Sequence, residues 1–362
     1  MFGDFFKDKS ILITGHTGFK GSWLALWLHE LGAVVTGLAL PPPTAPSHFE
    51  LTRLPGLINH VEGDIRDYDI VRETFDKTKP EIVFHLAAQA VVRDSYQEPK
   101  TTFDTNVGGT VNILEAMRHC SSVKAAVFIT SDKCYENKEY ERGYEEGDPL
   151  GGHDPYSASK GAAEIVCAAY RRSYFAQNGC GPHLGFATAR AGNVIGGGDW
   201  AKDRIIPDCI RALSAEQPIV VRHPQAVRSW QHILDLLGGY LLLAKLLAQD
   251  GEKYAGAWNF GPLEEGQTPV IDLVEKVLAS WGGGEVKIMP APANAPHEAN
   301  LLKLSVDKAR RELNWWPFLD NSAAISWTVD WYKAWHLREV DLLGLSLRQI
   351  REFSKITGRE GY

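Results

Sequence analysis

Apolar runs of strand length recur through the first half of the chain: "SILITG" ending at Gly15, then "AVVTGLAL", "NHVEGD", "EIVFHLAA", "AAVFITS" and "LGFATARA". Between them the spacing turns helical; in "WLALWLHEL", Leu24, Trp27, Leu28 and Leu31 share one face. Strands apolar on both faces, alternating with helices, predict a doubly wound parallel α/β sheet covered on each side. After about residue 190 the pattern loosens into glycine, proline and isolated charges. "RSWQHILDLLGGYLLLAKLLA" then reads as a helix with the segment leading into it. "TPVIDLVEKVLASWG" and "SVDKARRELNW" read as two more helices, ahead of a tryptophan-rich tail. The expected division is a first domain of residues 1–188 plus about 229–260. A smaller C-terminal α/β substrate lobe takes about 189–228 plus 261–362, with a ligand cleft between the two.

Composition narrows the class. The 362 residues are 44% hydrophobic and 23% charged, as in a well-packed soluble chain. A formal charge of −7 argues against a nucleic-acid surface, while leaving room for a locally positive site for a small anion. The five cysteines, Cys120, Cys134, Cys167, Cys180 and Cys209, are odd in number and lack CxxC spacing. No disulfide framework or metal site is expected, and a reducing compartment is favoured. "MFGDFFKDKS" does not read as a signal peptide, and the longest apolar run is broken by Lys245 and too short for a bilayer. A cytoplasmic enzyme with no membrane partner is the expectation.

Candidate chemistry begins at "TGHTGFKGSW", where Gly15, Gly18 and Gly21 follow the first strand and open the first helix. Glycines there let the backbone turn sharply and approach a pyrophosphate, which the free N–H groups of the helix end then bind. With Thr17 and Phe19 they form the expected dinucleotide cradle of a Rossmann-type domain. The acid expected about 20 residues on, to grip the adenosine ribose, is absent; the second strand gives Thr36, Gly37, Leu38 and Ala39. No arginine for a 2′-phosphate stands at that strand end either, so NAD is favoured over NADP without being fixed. Asp64 and Ile65, in "EGDI", read equally as an adenine contact or as a turn.

In "PYSASKGAAEIVCAAY", Tyr156 and Lys160 lie one helical turn apart. An ammonium that close favours phenolate, lowering a tyrosine pKa of about 10. Ser131 at a neighbouring strand end is placed to hold a substrate oxygen. Alone, such a pair is an ordinary helix surface. Together with "TGHTGFKG", "HLAAQ", "NVGGT" and "TSD" in this order, the chain resembles the extended short-chain dehydrogenase/reductase superfamily over nearly its whole length. The resemblance implies a Ser131–Tyr156–Lys160 triad, an Asn106 that supports the active-site water and lysine, and a segment Leu86–Ala87–Ala88 that runs past bound NAD.

Asp132 and Lys133 directly follow the triad serine. They are either a static loop ion pair or extra proton-handling groups. The chain is similar to nucleotide-sugar 4,6-dehydratases, in which these two positions carry the elimination: the acid protonates the departing C6 hydroxyl and the base removes the C5 proton. The Asp–Lys form resembles the branch that acts on CDP-glucose. Asp132 must then be protonated in use, well above a carboxyl pKa of about 3.9, and Lys133 must be neutral. A contact ion pair would oppose both needs, so the two must be split or share a proton. The same resemblance implies a nucleotide-sugar substrate bound by Asn193, Arg228, His297 and Glu298, with Arg93 and Arg204 reaching phosphate or sugar. It also implies a homodimer or homotetramer through helices near 101–118 and 156–175. The rivals are an epimerase or another dehydratase of the superfamily, and a non-catalytic NAD-sensing protein.

Overall fold

The computed structural model describes residues 2–176, 184–263, 267–289, 301–338 and 341–359. In chain order its strands are β1 (Ser10–Thr14), β2 (Val34–Ala39), β3 (Asn59–Glu62), β4 (Ile82–His85), β5 (Ala125–Ile129), β6 (Gly185–Ala191), β7 (Asn193–Ile195), β8 (Ile219–Val221), β9 (Val227–His232), β10 (Gly256–Phe260), β11 (Gln267–Pro269) and β12 (Val286–Ile288). Seven form one parallel sheet in the order β10-β6-β5-β4-β1-β2-β3. Every residue of β4, β5 and β6 is buried, which is why these strands read as unbroken apolar runs. The strand order reverses between β1 and β4, the point at whose carboxyl ends an open parallel sheet binds its ligand. Gly15 leaves β1 there, Leu86 leaves β4, and Thr130 and Ser131 leave β5.

Two smaller sheets, β11-β9-β7 and β12-β8, stand beside the large one. The segment leading into the long apolar helix, Val227–His232, is a strand, because it pairs with β7 on one side and β11 on the other. The helix begins only at Ile233, with the His232 ring accepting from the Leu234 N–H. The tryptophan-rich tail contains two long helices, Asn321–Leu337 and Leu342–Arg359. The second lies against the first helix of the chain: Arg351 pairs with Glu30 at 2.7 Å, and Phe353 meets Trp27 edge-on. Among the described residues no helix is long and apolar enough to cross a membrane.

One helix carries the candidate tyrosine and lysine, Pro155–Tyr170. Asp154 caps it by accepting from the Ser157 N–H, and Pro155 supplies a φ suited to its first turn. Tyr156, Lys160 and Glu164 then follow at four-residue spacing, all buried against the sheet. Glu164 fixes the register. Its carboxylate accepts from Thr130 on the β5 exit (2.5 Å) and from Thr188 on β6 (2.8 Å), and pairs with Arg190, also on β6 (2.7 Å). Both members of the pair are only 3% exposed. Burial works against the Arg190 charge, and the Glu164 carboxylate more than offsets it, holding the guanidinium protonated. Arg190 continues to the Tyr135 hydroxyl (2.7 Å), which donates to Asn259 (2.8 Å) at the end of β10.

Removing one partner of such a pair strands the other charge in the interior. Arg190→Met should therefore cost about 3–5 kcal/mol of unfolding free energy in urea titration. A loss below about 1 kcal/mol, the range of an exposed pair, would show that the brace does not hold these elements together.

Candidate active site

The glycine loop is built for close approach. Gly15 has φ +78°, and a Cβ there would lie 2.6 Å from the Ala87 nitrogen; one at Gly21 would lie 2.2 Å from the Gly15 carbonyl. The loop therefore rests directly on Leu86–Ala87, while the Ala87 N–H donates to Thr14 (3.2 Å). Gly18 caps the helix Phe19–Glu30 without a side-chain hydrogen bond, so the first N–H groups stay free for an anion. This cradle, filled by any side chain larger than hydrogen, fits a dinucleotide pyrophosphate. Thr17 donates to the Leu40 carbonyl (2.9 Å), tying the loop to the end of β2.

At the end of β2, which carries no acid, the loop's own histidine shapes the neighbourhood. The His16 ring lies so close that a Cβ on Gly37 would be 2.2 Å away, and its Nε2 meets His60 Nδ1 at 2.7 Å. Burial, then the nearby His60, push His16 down to about 3, so it is neutral. Asp64 is engaged by Arg66 Nε at 2.8 Å, and Ile65 packs on Gly109. Asn106 sits in a π-helical turn, Asp104–Gly109. It accepts from the Gln89 N–H (2.8 Å) and donates to the Ser159 hydroxyl (2.8 Å) and the Gln89 carbonyl (3.0 Å). It thus joins the segment that contains Ala88 to the tyrosine helix.

Ser131, Tyr156 and Lys160 are all buried at the β5 exit. Their electrostatics differ from expectation. Burial pushes Tyr156 up to about 12, with the Ser131 hydroxyl beside it pulling the other way. Lys160 does not lower the tyrosine as its spacing suggests: its Nζ lies on the Ile129 carbonyl (3.4 Å), and burial pushes it down to about 8. Ser131 is also engaged, donating to Asp132 Oδ1 at 2.8 Å and accepting from the Lys133 N–H at 3.2 Å. Burial raises the Asp132 carboxyl, while the charge of Lys133 opposes that rise without reversing it. Among the described residues Asp132 closes no contact ion pair with Lys133, so the static loop pair is not what the chain forms.

Lys20 escaped the sequence reading, although it stands inside the glycine loop. Burial and then the Arg204 charge push it down to about 8, and Asp132, Lys160 and Asp199 also act on it. Its signal in the sequence is a lysine within the glycine loop. Arg204 pairs with Asp199 at 2.7 Å, and its charge reaches Tyr156. Arg93 pairs with Asp203 at 2.8 Å. Asn193 is exposed at the start of β7, opposite Trp230, and Arg228 lies two residues before Trp230 on β9. His297 and Glu298 lie outside the described residues. Asp235, in the first turn of the helix that begins at Ile233, accepts from the Phe318 N–H at 2.7 Å.

Residues 11–259 match the NAD dependent epimerase/dehydratase family. The chain belongs to that family. This epimerase/dehydratase is 47% identical over 357 residues to the CDP-glucose 4,6-dehydratase of Salmonella typhimurium, spanning 98% of this chain and 99% of that protein. It is 26% identical over 347 residues to the CDP-paratose 2-epimerase of Salmonella typhi, covering 89% of this chain and 98% of that one. Among solved structures, the UDP-glucose 4-epimerase of Thermus thermophilus in complex with NAD superposes with a TM-score of 0.77 at 26% identity, covering 89% of this chain and 98% of that chain. The family's cofactor is the one the glycine cradle fits.

The lowered Lys160 carries a stability signature. Its folded value of about 8 lies below the ordinary 10.5, so unfolding takes up a proton between these values. The cost of the buried charge is full below about 8 and fades as pH rises to 10.5. Lys160→Met should therefore raise the melting temperature of this family member at neutral pH, with the gain shrinking across that window. A uniform drop in melting temperature at every pH would contradict the assignment.

Proposed function

We propose that this chain is a CDP-glucose 4,6-dehydratase, converting CDP-D-glucose to CDP-4-keto-6-deoxy-D-glucose. The observation that carries the reading is the Ser131–Asp132–Lys133 exit of β5. A carboxyl raised by burial is hydrogen-bonded to the triad serine and split from the adjacent amine. The 47% identity to the Salmonella typhimurium enzyme supports the same substrate.

NAD, when bound, supplies a positively charged ring, the hydride acceptor for C4 and, once reduced, the hydride donor for C6. The chain's own residues handle the protons. Tyr156 takes the proton of the C4 hydroxyl, with the Ser131 hydroxyl beside it favouring the ionised phenol. Ser131 holds the C4 oxygen and passes orientation to Asp132 through their shared hydrogen bond. The C4 ketone makes the C5 proton acidic, because the resulting anion spreads onto the carbonyl oxygen. Lys133 removes that proton, and Asp132 delivers its own to the departing C6 hydroxyl. Burial keeps Asp132 protonated to a higher pH than an exposed carboxyl, as a general acid requires. Arg228 and Asn193 bind the diphosphate, with Arg204 closer to the sugar. The chain forms a homodimer through the helices near 101–118 and 156–175; Ile165, 59% exposed, and Phe103, 39% exposed, give those helices an apolar outer face.

Lys133→Met and Asp132→Asn should each lower turnover of CDP-glucose by about 10²–10⁴-fold. Oxidation at C4 persists in both, so absorbance near ~340 nm should build up on the enzyme. Unchanged turnover would return the chain to the epimerases, which share the triad and have no task for these two residues. Side-by-side assays of CDP-, dTDP-, GDP- and UDP-glucose test the nucleotide; preference for any but the first overturns the substrate. For the dimer, Ile165→Glu should yield a monomer in light scattering, and an unchanged mass would remove that surface.

A further inference from the structure

Oxidation at C4 releases a proton, and elimination at C6 consumes one. The two tasks fall to Tyr156 and Asp132, and a single hydroxyl stands between them. Ser131 opens the short turn Asp132–Cys134 as its N-cap. A serine hydroxyl has one hydrogen to give and two lone pairs to receive with. Here the hydrogen goes to Asp132 Oδ1 (2.8 Å), and one lone pair takes the Lys133 N–H (3.2 Å). The other lone pair is left for the Tyr156 phenol, the second neighbour of this hydroxyl. Tyr156 O–H, Ser131 O–H and the Asp132 carboxylate therefore line up as a chain whose hydrogens all point towards Asp132.

Tyr156 and Ser131 are only 8% and 6% exposed, so the chain runs inside the protein. Burial outweighs the effect of Ser131 and leaves the phenol protonated at neutral pH. A protonated phenol accepts the C4 hydroxyl proton only by giving up its own. Lys160 is a poor receiver: at neutral pH it is an ammonium without a lone pair, and it donates to the Ile129 carbonyl (3.4 Å). Asp132, which has a lone pair to offer, is reached through one hydroxyl. Its charge also holds the phenol proton in place, and that hold ends once Asp132 is itself protonated.

We infer that Ser131 is a proton relay from Tyr156 to Asp132, through which oxidation at C4 loads the acid that later acts at C6. The inference rests on the dehydratase reading above and deepens it. As hydride leaves C4 for the bound nicotinamide, the C4 O–H bond breaks and its proton joins Tyr156 Oη. The Tyr156 proton passes to Ser131 Oγ, and the Ser131 proton to Asp132 Oδ1. Tyrosine and serine end as they began, and one carboxylate has become a carboxyl. Burial favours that neutral form and holds the proton until the C6 hydroxyl departs with it as water. Lys133 takes the C5 proton and returns it to C5 as hydride returns to C6, so the cycle closes without a proton from bulk solvent. Rotation of the two hydroxyls turns the chain back towards Asp132. The C6 acid is thus loaded only when C4 has been oxidised.

The test uses the full-length protein with NAD bound and CDP-6-deoxy-D-glucose, which has the C4 hydroxyl and no leaving group at C6. Stopped-flow absorbance near ~340 nm then follows C4 oxidation alone. Asp132→Asn keeps the shape and removes the proton acceptor. It should slow this step by about 10²-fold or more at saturating substrate, although no C6 hydroxyl is there to protonate. Ser131→Ala should slow it likewise, and Ser131→Thr, which restores the hydroxyl, should recover most of the rate. In mixtures of H2O and D2O the wild-type rate should fall below a straight line between the pure solvents, because several protons move together. Wild-type oxidation in Asp132→Asn overturns the relay, as does a loss confined to substrate affinity. A straight line for the wild type, or a Ser131→Thr rate no better than Ser131→Ala, overturns it too. If the wild-type protein oxidises the sugar of another nucleotide in place of CDP, the substrate reading fails, and the 6-deoxy sugar of that nucleotide decides the relay in the same series. A wild-type protein that oxidises none of them overturns both.

Discussion

The carboxylate of Glu164 is where the sheet and the tyrosine helix are locked together. It holds the exit of β5 through Thr130 and the middle of β6 through Thr188 and Arg190, and it sits one turn beyond Lys160 on the same helix face. A helix packed on a sheet by apolar contact alone can slide by a fraction of a turn at little cost. A buried charge with three directional partners cannot, because each displaced bond leaves an uncompensated group in a medium that solvates it poorly. Ser131, Tyr156 and Lys160 inherit their mutual positions from that lock. Arg190 extends it through Tyr135 to Asn259, so the last strand of the large sheet is registered to the same point.

Around the site the dominant force on these ionisable groups is dehydration. It moves Lys20 and Lys160 down and Tyr156 and Asp132 up, in each case towards the neutral form. A pocket whose acid, amines and phenol all lean towards neutrality exchanges protons with small driving forces in either direction. That suits a sequence in which a hydroxyl is first deprotonated, a carbon acid is then ionised and a leaving group is finally protonated. Within that pocket the Asp132 carboxylate accepts from Ser131, while the Lys133 charge still acts on it.

Much of this is readable from the sequence, and the reasons for the exceptions are physical. The large sheet declares itself because its strands are buried on both faces and so leave no polar alternation. The glycine loop and the Tyr156–Lys160 spacing announce chemistry for which few other arrangements serve. β9 escapes because "RSWQH" is short and mixed, and its strand state comes from partners contributed by β7 and β11, far away in sequence. The first tail helix, Asn321–Leu337, is hidden by aromatic residues, Trp327, Trp331, Tyr332 and Trp335, that blur the period. Glu164 completes the four-residue series begun by Tyr156 and Lys160, so its burial is available to a reading that continues along that face. The Arg93–Asp203 pair is not, since nothing local links the two residues.

The packing of Leu342–Arg359 on Phe19–Glu30 has a consequence for biosynthesis. The helix that opens the cofactor cradle emerges from the ribosome early, yet the back of it, at Trp27 and Glu30, is covered by Phe353 and Arg351 from the far end of the chain. While translation is under way that indole face has no lid, and the cradle rests on a half-finished wall. The nascent polypeptide therefore leaves that apolar face uncovered until residues 342–359 have been made and folded back onto it.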